Sequence, residues 1–198
     1  MTGLGCKMSI IVPIGVDCGV ANFLRDNGYR NFSLPFDWVV SYGGVSDIIN
    51  TQFKNYINDD SVKFLHHRFP EDIETIKRRS ERLLNLLNSD EEIIFLRKGH
   101  SDHHHRESIH IKDDLIDCEK LYDILKKKYK KLKFKIILFL VCSECYDSNH
   151  RYKSEKVVIY NVSDKNNRAQ LIKNNFLDFE KQTGISKNLE NSFINLNL

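Results

Sequence analysis

The chain is poor in the residues that break or loosen structure. Three prolines and nine glycines in 198 residues leave no room for a linker-like or low-complexity segment. Long apolar runs are also missing. No stretch approaches the roughly 20 apolar residues that a membrane helix needs. The first residues, MTGLGCKMSIIVPIGVDCG, lack the long apolar core of a secretory leader, and their short apolar run reads better as a strand. Cysteine is scarce and odd in number. Five scattered cysteines suit a reducing compartment better than a disulfide framework. A net charge of +3 is too small to point to nucleic acid. Neither Gly-x-x-x-x-Gly-Lys-[Ser/Thr] nor Gly-x-Gly-x-x-Gly occurs, which counts against a nucleotide site. Trp, Pro and Ala are sparse beside Lys, Asn and Ile, a skew of AT-rich genomes with no bearing on mechanism. The expectation is a cytoplasmic protein, of a cell or an infected host, with no membrane partner and no cofactor.

What the chain does contain is an ordinary core. Hydrophobic residues make up 41% and charged residues 29%, as in a single globular domain spanning 1–198, with 184–198 as a frayed tail. Residues 8–15 are an Ile/Val run ended by Gly15, and they predict a buried strand. Val20, Phe23 and Leu24 then fall on one helical face, with Gly28 as the C-cap. Helical spacing returns over 45–57, 71–88, 115–129 and 168–183. Apolar strand patterns lie at 92–97, 134–142 and 156–162, with a shorter stretch at 62–65. Strands alternating with helices predict an α/β fold: a mainly parallel sheet of four to five strands with helices on both faces. Ligands of such sheets bind beyond the carboxyl ends of the strands. That rule gathers residues 15–18, 97–100 and 142–145 on one rim.

Cys18 is the first candidate for chemistry. It follows Gly15 by three residues and opens the first helix, where free amide N–H groups and the helix dipole stabilise a thiolate. The same position suits a small residue packing a strand-helix turn. The surrounding block, IIVPIGVDCGVANFLRDNGYRNFSLPFDWVVS, carries Gly15, Cys18, Ala21, Leu24 and the run Pro35-Phe36-Asp37-Trp38. In these residues it resembles a family of bacterial and large-DNA-virus proteins described as papain-like cysteine peptidases. A second block is also similar: His66-His67-x-Phe69, a helix with paired arginines, and a strand ending in Arg97. The resemblance covers the first half of the chain. It implies that Cys18 is a nucleophile and that His67, or its neighbour His66, is the general base. Asp37 would orient that histidine or hold its own loop. A thiol needs a base within hydrogen-bond reach, and the base needs a partner to fix its tautomer. Papain pairs a helical half with a barrel-like half, whereas the pattern here predicts a parallel sheet. Triads recur on unrelated folds, so the resemblance bears on the chemistry and the pattern on the fold.

Other clusters have plainer readings. His100, His103, His104, His105 and His110 lie in a polar loop that could take up a divalent metal in passing. Cys142-x-x-Cys145 could be a redox pair or half of a zinc site, with Cys118 and His150 to complete it, but no second pair is evident. No metal site is assigned to either. The lysines between 126 and 135 read as a solvated helix end. Arg78, Arg79 and Arg82 could meet an acidic ligand or form a solvated helix face. Three functions follow. The first is a cysteine-dependent hydrolase acting on a peptide or protein substrate. The second is a non-catalytic viral or host-interaction binding protein. The third is a metal- or nucleotide-binding module.

Overall fold

The computed structural model of the chain describes residues 9–15, 17–41, 43–100, 111–142 and 153–163. Its elements in chain order are β1 (Ile10–Pro13), α1 (Gly19–Asp26), β2 (Val40–Ser41), α2 (Val45–Asn50), β3 (Val62–Lys63), α3 (Ile73–Leu87), β4 (Glu92–His100), α4 (Ile111–Lys128), β5 (Lys133–Cys142) and β6 (Val158–Ser163). Four strands form one parallel sheet in the order β1-β4-β5-β6. The α/β expectation therefore holds, with four strands among the described residues.

Pairing registers explain why each strand is apolar throughout. Val12, Phe95 and Leu138 point to one face, and Ile11, Ile94, Ile137 and Phe139 to the other. On the first face α2, α3 and α4 pack through Ile48, Ile49, Ile76, Leu83, Leu121 and Leu125. On the second, α1 packs through Val20 and Leu24. Between Tyr29 and Leu34 the chain passes from the second face to the first, past the edge strand β1. Pro13, with no N–H to donate, is tolerated on that edge.

Helix ends are set by tertiary contacts as well as by local pattern. The spacing predicts helix over 45–57, but α2 stops at Asn50. Gln52 and Phe53 take left-handed backbone conformations (φ 55° and 62°), and their amides return to Ile49 O and Ile48 O. The turn swings Phe53 onto Phe36 and Tyr56, with ring centroids 5.8 and 5.2 Å away. Burial of an aromatic ring thus overrides helical propensity. The N-terminus of α2 is capped by a residue distant in sequence. Asp117, from α4, accepts the Val45 and Ser46 amides at 3.1 and 3.3 Å and the Ser46 hydroxyl at 2.6 Å. β4 runs three residues beyond the expected Arg97, and α4 begins at Ile111 rather than 115. The helix expected over 168–183, and the tail after it, lie outside the described residues. Among those residues no helix is long and apolar enough to cross a membrane.

Candidate active site

β1 ends opposite Leu96, four residues before the end of β4. This leaves a step at the carboxyl edge of the sheet, and the turn into α1 fills it. Gly15 opens the turn at φ 90°, a left-handed conformation that favours glycine. A Cβ there would lie 1.8 Å from Ser41 Oγ. Cys18 is the N-cap residue of α1 and is half-buried. The neighbouring Asp17 fixes its position. One carboxylate oxygen accepts the Gly19 amide at 2.7 Å, and the other accepts the Lys98 ammonium at 2.6 Å. Cys18 thus stands on the predicted rim, beside the end of β4.

Below the rim the sheet edge is tied together by Arg97, whose side chain is fully buried. It donates Nη1 to Ile14 O at 2.8 Å and Nε to Asp114 Oδ1 at 2.8 Å, and its Nη2 also bonds Asp114. One guanidinium so joins β1, β4 and the first turns of α4. Cys118 is buried next to this pair, and burial pushes its thiol up to about 12. Such a thiol packs as a small apolar residue.

The other expected residues gather elsewhere. β2 and β3 form an antiparallel ribbon, with Ser41 opposite Val62 and Val40 opposite Lys63. This pairing lays the Pro35-Phe36-Asp37-Trp38 turn beside the His66–His67 turn. Trp38 meets His66 edge to face at 6.3 Å, and Arg25 and Arg30 stack on its ring at 5.6 and 5.3 Å. Asp37 is fully buried. Its Oδ2 accepts the Leu34 amide at 3.0 Å and pairs with Arg30 at 3.2 Å, while Oδ1 has no hydrogen-bond partner. Burial pushes its carboxyl above the usual range, against the pull of Arg30, the Leu34 amide, Arg79 and Arg82.

His67 faces a different carboxylate. Its Nδ1 lies 3.6 Å from Asp72 Oδ2, an ion-pair separation too long for a hydrogen bond, and its buried Nε2 has no partner. Burial pushes the imidazole pKa down and Arg79 adds to this, with Asp72 opposing both. Asp37 and His67 thus share the field of Arg79 rather than a hydrogen bond. Among the described residues no hydrogen bond joins either of them to Cys18. The two groups lie at opposite ends of one segment: Ser41 approaches Gly15, and Trp38 approaches His66.

Three features escaped the sequence reading. Asp17 signals itself as an acidic residue just before a helix start, and Asp72 does the same before α3. The joining of Arg25 and Arg30 to the arginines of α3 is tertiary, with no sequence signal. The histidines from 103 to 110 and the segment 143–150 with Cys145 lie outside the described residues. Among the described residues, no three His, Cys, Asp or Glu side chains gather in a way that would hold a metal ion.

No curated protein and no solved structure matches the chain. A family described as "Putative papain-like cysteine peptidase" matches residues 9–66, a span that includes Cys18 and Asp37, ends at His66 and stops just short of His67. It is through this segment, the strand-turn-helix of Cys18 and the ribbon that follows, that the chain is similar to that family of cysteine peptidases.

Proposed function

We propose that the protein is a cysteine-dependent hydrolase cleaving a peptide or isopeptide bond, with Cys18 as nucleophile, His67 as general base and Asp37 holding the turn beside it. The observation that carries this reading is the placement of Cys18 inside the family segment. It opens α1 on the carboxyl rim of a parallel sheet, in a turn fixed by Gly15, Asp17 and Lys98. Sites of this fold class form on that rim. The thiolate attacks the carbonyl carbon, the leaving amine takes a proton from the imidazolium, and water then hydrolyses the acyl-enzyme. His67 suits the role of base, with a carboxylate facing Nδ1 and an unengaged Nε2. To reach Cys18 it requires the ribbon to shift when substrate binds. A second source of imidazole follows from Lys98, which lies beside Cys18 two residues before His100, where β4 ends and the histidine-rich stretch begins.

The test is hydrolysis of a library of fluorogenic peptides and ubiquitin-type isopeptides by the full chain and its variants. Cys18→Ser is expected to abolish turnover, and His67→Ala to lower it by at least about a hundredfold. Loss in His100→Ala or His103→Ala, with His67→Ala unaffected, moves the base to the end of β4. If no substrate turns over and Cys18 is inert to acyl probes, the chain is a binding protein that keeps the fold alone. A peptidase of this kind would work on cytoplasmic substrates.

A further inference from the structure

Five arginines converge where α3 meets the end of α1 and the residues that follow it. Arg25 and Arg30 come from the first segment and Arg78, Arg79 and Arg82 from α3, and with Ser33 they line an open cleft of about 650 Å³. Guanidinium groups repel one another, so their gathering needs a counter-charge. The protein supplies only part of it. Asp26 pairs with Arg25 at 2.9 Å, Asp37 pairs with Arg30 at 3.2 Å, and Asp72 lies near Arg79. Among the described residues Arg78 and Arg82 make no ion pair. Two of the donors are also buried without an acceptor in the protein: Nη1 of Arg30 and Nη1 of Arg79. A buried N–H left unpaired costs free energy.

The forks are held in place. Ser33 joins the two sides, its hydroxyl accepting Arg30 Nη2 at 2.6 Å and its carbonyl accepting Arg82 Nη1 at 2.6 Å. Trp38 carries the guanidinium groups of Arg25 and Arg30, and Phe32 carries that of Arg82. Side chains fixed before binding lose little entropy on binding.

We propose that this cleft binds a phosphate-bearing ligand. Guanidinium forks arriving from two directions match a group with three terminal oxygens and up to two negative charges better than a flat carboxylate with one. The cleft volume is that of a small-molecule site and exceeds the needs of a lone phosphate, so the ligand is a polyphosphate or a phosphate ester. Arg30 and Arg79 of this cleft also border Asp37 and His67, but the proposal does not rest on the hydrolase reading.

Titration calorimetry of the full chain with pyrophosphate, in a chloride buffer of fixed ionic strength, tests the proposal. The expected result is saturable one-to-one binding that weakens as chloride is raised. Arg78→Ala, at an exposed position that leaves the fold intact, is expected to weaken binding about tenfold. Arg79→Lys keeps the charge, loses the fork and is expected to weaken it several-fold. Cys18→Ser and Lys127→Ala, a basic residue on another helix, are expected to bind as wild type does. The proposal is overturned if pyrophosphate gives no saturable heat. It is equally overturned if citrate binds as tightly, or if Lys127→Ala weakens binding as much as Arg78→Ala.

Discussion

At the scale of single residues, burial decides what each titratable group can do. His67 keeps a carboxylate at one nitrogen, yet burial and Arg79 push its pKa below the usual value near 6.5. The folded chain therefore holds fewer protons at this group than the unfolded chain does at mildly acidic pH. Its contribution to stability is complete above about 6.5 and is lost as pH falls from there toward the folded pKa. Asp37 behaves in the opposite sense. Its carboxyl is raised, so ionisation costs stability as pH climbs from the unfolded value of about 3.8 through the folded one. A proton NMR titration of the His67 ring is expected to show a midpoint below 6.5. A midpoint above 6.5 would mean that Asp72 outweighs burial. The neutral imidazole that the low value implies at pH 7 is the form a general base requires.

At the scale of elements, much of the fold was legible, because strands buried on both faces must be apolar throughout. The runs around Ile10, Ile93, Ile136 and Val158 announced β1, β4, β5 and β6, and the stripe Ile76, Leu83, Leu87 announced α3. Helix ends were less legible because tertiary contacts set them. Phe53 leaves the helical path to join Phe36 and Tyr56, and Asp117 caps α2 across more than seventy residues of chain. That cap yields a prediction. Asp117→Ala leaves two amides and one hydroxyl without an acceptor and is expected to cost roughly 2 kcal/mol in urea unfolding. Asp117→Asn, which retains an acceptor oxygen, is expected to cost about half as much. Equal losses in the two variants would show that the carboxylate charge, not the acceptor geometry, holds α2. The candidate site divides along the same line. Cys18 at a helix start after a glycine turn could be read from local pattern, whereas the shared surroundings of Trp38, His66, Arg25 and Arg30 depend on a two-residue ribbon that spacing does not reveal.

At the scale of the molecule, the sheet's carboxyl edge combines a rigid base with a half-buried thiol. The base is the Arg97–Asp114 pair, fully removed from water and bonded to β1 as well. Arg97→Met is expected to cost roughly 3–5 kcal/mol, because it strands a buried carboxylate. Adding Asp114→Leu is expected to recover most of that loss in the same denaturation assay, since an apolar pair of similar volume carries no unpaired charge. A double variant as unstable as the single one would mean that Asp114 has a separate structural duty. Above this base Cys18 and Cys118 have opposite prospects, one at a helix start on the rim and one in the core beside Arg97. The reactivity of the rim thiol tests its assignment as nucleophile most directly. Brief alkylation with iodoacetamide from pH 5 to 9, read by peptide mass spectrometry, measures it. Cys18 is expected to label first, Cys118 to stay unmodified while the chain is folded, and Cys18→Ser to remove the early label. Cys18 inert across that range, with alkylation falling on other cysteines instead, would contradict its assignment as the nucleophile.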